Sequence, residues 1–177
     1  MAFRGISGKI PEVTSDHQLL VAGVVESEVG FVSETKGKAF SWYSGFTTGG
    51  TDVEVLSLKN TSTNDNLIID QIIVSADAAC IFTLFEVTSG TAGGTSITGK
   101  NLNLGLGLSA SQIAYGNAAV TGSLSGDNIA SVSTVANDNT VIDVKSGLVL
   151  GQDSEIAITA SANTVVRVTV IGHYKER

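Results

Sequence analysis

What most limits how this chain can fold is its punctuation. Runs of β-branched and apolar residues are cut at short intervals by turn-forming clusters: Thr47-Thr48-Gly49-Gly50, Thr63-Asn64-Asp65-Asn66, Gly90-Thr91-Ala92-Gly93-Gly94, Ser125-Gly126-Asp127-Asn128, Asn137-Asp138-Asn139 and Gly151-Gln152-Asp153. Such residues accept positive φ or bond their own backbone, so a chain reversal costs little there. Between them lie candidate strands at residues 18–25, 28–33, 38–43, 53–59, 67–75, 79–88, 129–135, 141–144, 148–150, 155–160 and 164–172. In residues 79–88 both alternating faces are apolar enough to be covered. Helical spacing of apolar residues is scarce, apart from a short turn expected near residues 108–115. Short strands separated by turns at intervals of roughly 8–12 residues indicate an antiparallel β-sandwich or barrel, not βαβ units. No internal repeat of solenoid or propeller type is present.

With 177 residues the chain suits one domain, and that length buries roughly 70% of the unfolded surface, so neither a metal nor a disulfide is required for folding. Charged residues make up only 15% and the net charge is −7. No basic cluster offsets that charge, so nucleic acid is not an expected partner. Cys80 is the only cysteine; it sits in an apolar run and reads as a small buried hydrophobe. Residues 1–6 show no apolar signal core and no stretch is long and apolar enough to cross a membrane, so the expectation is a soluble protein made in a cytoplasm. Asn60-Thr61-Ser62 matches a glycosylation sequon, which is coincidental without a secretory route.

The only proline is Pro11. It lacks an N–H and holds Ile10 extended, so residues 1–13 are expected to form an extended arm and residues 14–177 a single sandwich. Phe3, Ile6 and Ile10 would be costly to leave in water, which makes them candidate partner-binding residues.

Enzymatic chemistry is hard to place. His17 and His173 lie near opposite ends, beside no acidic or cysteine cluster, and both are expected at the surface or at strand ends. Metal-ligand spacings are absent. Gly122-Ser123-Leu124-Ser125-Gly126 has Leu where a nucleophile elbow needs Ser, and reads as a strand–loop junction. Gly105-Leu106-Gly107-Leu108-Ser109-Ala110 matches a dinucleotide fingerprint, but lacks the preceding buried strand and following long helix that the motif needs. The Asp/Asn turns do not follow the spacing of a calcium loop and read as plain turns. The expectation is a non-enzyme with no catalytic, cofactor or metal residues.

Phe31, Trp42, Tyr43 and Phe46 cluster in sequence, with Phe40 and Trp42 on one face of a strand. Rings so placed either stack on sugars or fill a core or subunit interface, and the second is the expectation. Trp42, Tyr43 and Phe46 therefore join the candidate partner-binding residues.

Two segments carry a resemblance. One is Phe85-Glu86-Val87-Thr88-Ser89-Gly90, then Gly93-Gly94-Thr95-Ser96-Ile97-Thr98 and Asn101-Leu102-Asn103-Leu104. The other is Gly147-Leu148-Val149-Leu150-Gly151-Gln152-Asp153-Ser154-Glu155-Ile156-Ala157-Ile158 with residues 165–172. Together, over roughly residues 84–104 and 140–174, the chain resembles virion structural proteins of tailed bacteriophages with jelly-roll-like sandwiches, of the capsid decoration (cement) or head-fibre type. The resemblance implies a decoration protein on the capsid exterior, bound to the major capsid protein and to other copies of itself as a homotrimer. It carries over no catalytic residue. The alternative it leaves open is a tail- or fibre-associated module that recognises a host-surface carbohydrate. A solvent-facing platform of Trp42 and Tyr43 would mark that alternative, and burial would mark assembly.

Overall fold

The computed structural model describes residues 12–13, 19–20, 36–144 and 147–177. Its strands are β1 (Glu12–Val13), β2 (Leu19–Leu20), β3 (Ala39–Thr47), β4 (Val53–Asn60), β5 (Asp65–Ala76), β6 (Cys80–Ser89), β7 (Lys100–Asn101), β8 (Gln112–Tyr115), β9 (Ser125–Thr134), β10 (Asn139–Ile142), β11 (Leu148–Leu150), β12 (Glu155–Ala160) and β13 (Val165–Glu176). The last two residues of the expected arm, β1, pair antiparallel with β2 in a small separate sheet. Phe3, Ile6 and Ile10 lie outside the described residues, as do His17, Phe31, the strand expected at 28–33 and most of the one expected at 18–25.

The remaining strands form two antiparallel sheets. One is six-stranded, ordered β10-β5-β13-β3-β7 with β11 also on β5; the other is five-stranded, ordered β8-β4-β12-β6-β9. The chain changes sheet at β3–β4, β4–β5, β5–β6, β6–β7, β7–β8, β9–β10, β11–β12 and β12–β13; with the short edge strands β7, β8 and β11 set aside, only β6 and β9 follow one another in the same sheet. That connectivity is a jelly roll, with β3, β13, β5 and β10 facing β4, β12, β6 and β9.

The sandwich closes because the strands alternate. Along β13, Val166, Val168 and Val170 point inward, while Arg167, Thr169 and Ile171 point out. Facing them are Leu56 and Leu58 of β4, Phe82 and Leu84 of β6, and Ile156 and Ile158 of β12. Each such side chain contributes about 1.5–3 kcal/mol by leaving water. Cys80 is buried among them. Phe40 sits between Trp42, 6.1 Å away, and Tyr174, 5.7 Å away and edge-on. The Tyr174 hydroxyl donates to the Ser111 carbonyl at 2.8 Å. Burial, with Asp65 adding to it, pushes that hydroxyl well above the usual phenol range.

The pairing of β13 with β5 shifts register between Ile171 and Gly172, where Asp70 of β5 is skipped, while Tyr174 keeps the inward phase of Val166, Val168 and Val170 and joins the core. A Cβ at Gly172 would run into the Ile68 carbonyl oxygen, which reserves the bulge for glycine. The expectation for His173 needs correction, although it shares the outward phase of Arg167, Thr169 and Ile171. It is only 1% exposed, and its Nδ1 lies 2.8 Å from Asp70 Oδ2 on β5. Another buried polar residue is Asn60, whose amide Nδ2 donates to the carbonyls of Asp65 (3.0 Å) and Leu150 (2.9 Å) while Oδ1 accepts the Ser62 N–H (2.9 Å). Those bonds fasten the β4–β5 turn to the end of β11.

Two parts of the β6–β9 connection, around Ala92 and from Val120 to Leu124, fold back over the outer face of the five-stranded sheet. There Phe85, Val120, Leu124 and Ala157 form a second apolar cluster with Val87, Ala92 and Tyr115. The Val120 N–H donates to the Glu54 carbonyl at 2.8 Å and Gly93 bridges Thr121, which ties the flap down. Leu124 is thus buried where the sequence suggested a strand–loop junction, directly before β9. Two expectations need correction. The helical turn expected at 108–115 is absent: residues 108–111 are irregular and Gln112–Tyr115 form strand β8, paired with β4. And β6 is covered on both faces only at Phe85, since Ile81 is 47% exposed.

Candidate functional site

The aromatic cluster divides across the sheet. Trp42 faces inward and is fully buried, so it presents no surface to a partner, contrary to its candidacy. Its indole N–H lies against the end of the β6–β7 connection, where a Cβ on Gly99 would approach Nε1 to 2.6 Å. Phe46 is partly buried and packs against the main core. Tyr43 alone faces water, 52% exposed, with its hydroxyl end lying over Gly45. Alternation along one strand separates these neighbours, and Trp42 and Tyr43 form no common platform.

A different surface feature emerges from the segment between β7 and β8. Leu102, Leu104, Leu106 and Leu108 all stand in water, Leu104 at 90% exposure. Scattered exposed leucines need no explanation, but an alternating row within one short loop does. The loop is not loose. Asn101 Nδ2 donates to the carbonyls of Gly37 (2.7 Å) and Leu108 (3.3 Å), and its Oδ1 accepts the Asn103 N–H at 2.8 Å. Asn103 repeats the device one step on, its Oδ1 accepting the Gly105 N–H at 3.1 Å. The Leu102 N–H donates to the Ala39 carbonyl at 2.9 Å, fixing the loop to the sandwich. Asparagine is suited to this role because its short side chain mimics a turn hydrogen bond. The outcome is a leucine ladder pinned by its own alternating asparagines.

Beside the ladder, on the outer face of the six-stranded sheet, lies an open groove of about 530 Å³. Leu102, Val141, Val144 and Ile171 supply its apolar wall, and Asp70 and Asp143 its carboxylates. Next to it a row crosses four strands in register: Tyr43 on β3, Thr169 on β13, Ile73 on β5 and Val141 on β10. The row is flanked by Arg167, whose guanidinium bonds Asp77 Oδ1 at 2.6 Å and is held above its ordinary range by that bond. The pair is exposed, so it orients Arg167 more than it stabilises the fold. Among the described residues no three of His, Cys, Asp and Glu come together as a metal site, and no helix is long and apolar enough to cross a membrane. Chemically the surface offers apolar burial with acidic margins.

Comparison with family models, with curated proteins and with solved structures finds no match to this chain. The leucine ladder was open to sequence reasoning. Its alternation of Leu with Asn and Gly is that of a strand, yet Asn and Gly are poor strand formers, so the leucines have no sheet to bury them. The groove had no such signal, because it is assembled from β5, β10, β13 and the ladder.

Proposed function

We propose that this chain is a non-enzymatic structural protein of a tailed-phage particle, binding the outside of the capsid and stabilising it as a decoration protein. One observation carries the reading: a sequence row of four exposed leucines, Leu102 to Leu108, on a loop fixed by hydrogen bonds. A fixed row of this kind meets a partner without first losing conformational freedom. Burying it between neighbouring capsid subunits contributes about 25 cal/mol per Å² of apolar surface removed from water. A protein that binds the assembled shell and not its separated subunits shifts the equilibrium towards the shell.

The segments that resemble virion proteins contribute directly to this surface. Leu102 and Leu104 belong to the first, and Val141, Asp143, Val144 and Ile171 to the second. Jelly rolls serve capsid and lectin proteins alike, so the fold by itself does not choose between them. The rings weigh against sugar recognition, since stacking needs neighbouring faces in water and Trp42 lies in the core. The expected partners are the major capsid protein and further copies of this chain, with residues 1–13 clipping onto a neighbour by strand addition. Electron microscopy of particles assembled with and without the chain tests the proposal. Density at regular sites on the head exterior is expected, with lower heat resistance in particles that lack the protein. Density confined to the tail or fibre tips, or none on the particle, would overturn it.

A further inference from the structure

We propose that the leucine ladder of one copy seats in the groove of another, closing the protein into a homo-oligomer in which every copy gives one such contact and receives one. This rests on the structural reading above only in expecting self-association, and it names the surface responsible.

The argument begins with shape and polarity. The same chain carries a protruding apolar knob, Leu104 with Leu106 and Leu108 beside it, and a concave site whose wall is Val141, Val144 and Ile171. Leu102 belongs to both, so the giving and receiving surfaces are continuous. An interface of standard size takes roughly 800 Å² from each partner, more than one loop supplies, so ladder, groove and the Tyr43 row would engage together.

Charge points the same way. Lys100 at the foot of the ladder is exposed and has no ion-pair partner among the described residues. Asp143, on the groove, is likewise exposed and unpaired among them, and no lysine or arginine among the described residues lines the groove. A knob with a cationic foot thus meets a hole with an acidic margin. Such pairing sets register and suppresses wrong partners, because like charges brought together are penalised. A contact between two different patches repeats from copy to copy and closes when the rotation allows, and three copies would give the trimer that the resemblance implies.

Sedimentation equilibrium on the full chain, with no particles present, tests this. The wild-type mass should be a whole multiple of 18.1 kDa, and Leu104→Asp should return it to 18.1 kDa. Lys100→Asp and Asp143→Lys should each weaken association about tenfold or more, and the double exchange should recover most of the loss. A wild-type protein that stays monomeric would overturn the proposal. So would an oligomer untouched by Leu104→Asp, or a double exchange no better than its parents. Circular dichroism checks that each variant folds; if Leu104→Asp does not, the charge exchange decides alone. Failure here leaves capsid binding to the particle experiment, and failure there leaves the self-contact standing.

Discussion

The two outer faces of the sandwich are finished in opposite ways. Over the five-stranded sheet, the chain around Ala92 and from Val120 to Leu124 returns and seals Phe85 and Ala157 beneath Val120 and Leu124. Over the six-stranded sheet, Tyr43 and Val141 are about half exposed, at 52% and 47%, and the ladder stands beside them. The same chain segment is involved in both, since the connection from β6 to β9 supplies the flap on one side and the ladder on the other. The flap could have carried its leucines inward, as Leu124 is, but the Asn101 and Asn103 bonds hold Leu102 to Leu108 outward. The second face is the one that the proposed partners would cover.

The largest effect should come from the sealed face. Phe85→Ala is expected to cost about 3–5 kcal/mol, because it empties the second cluster. Tyr43→Ala on the open face should stay within about 0.5 kcal/mol. Urea denaturation measures both, and similar costs would erase the distinction. Next comes Asn101→Ala, which leaves the Gly37 and Leu108 carbonyls and the Asn103 N–H without their partner. A loss of about 1–3 kcal/mol is expected, together with weaker self-association as the ladder loosens. An unchanged association constant would mean that the pinned conformation is not the binding one. Deleting residues 1–13 should move the melting temperature by no more than about 2 °C while weakening attachment to particles. A truncated chain that fails to fold would instead assign the arm to the protein's own core. Last, EDTA should leave the melting temperature unchanged, since the Asp/Asn turns hold themselves by hydrogen bonds such as Asn139 N–H to Asp138 Oδ1 at 2.8 Å. A marked drop would reveal a cation at one of those turns.

Strands were the legible part, and for a physical reason. Turn residues such as Asn137 and Asp153, both at positive φ, fall between apolar runs, so they mark strand ends directly. The runs themselves were read within a few residues: 53–59 against Val53–Asn60, 148–150 against Leu148–Leu150. β8 was missed because Gln112–Tyr115 is too short to reveal a period of two, and it exists through pairing with β4. His173 was misplaced because alternation puts it on the outward phase of β13, and its partner Asp70, the residue skipped where β5 bulges, lies 103 positions away. Of the candidate partner-binding residues within the described chain, Tyr43 is the one that faces water, since Trp42 and Phe46 were chosen by ring type and neighbourhood, and neither reports which side of a strand a residue takes. The ladder was written in the sequence, but its letters match a dinucleotide motif equally well; what separates the two is that Ala110 leads into a strand and not a helix.

The hydrogen bonds of Asn60 have a practical consequence for anyone making this protein in a eukaryotic secretory host. Oligosaccharyltransferase must reach the side-chain nitrogen, and in the folded chain that nitrogen is buried and already shared between two carbonyls. A glycan on the Asn60-Thr61-Ser62 sequon could be added only before folding, and the finished sandwich has no room to hide it. Sensitivity of the product to an endoglycosidase would therefore count misfolded molecules, making this sequon a built-in gauge of folding yield.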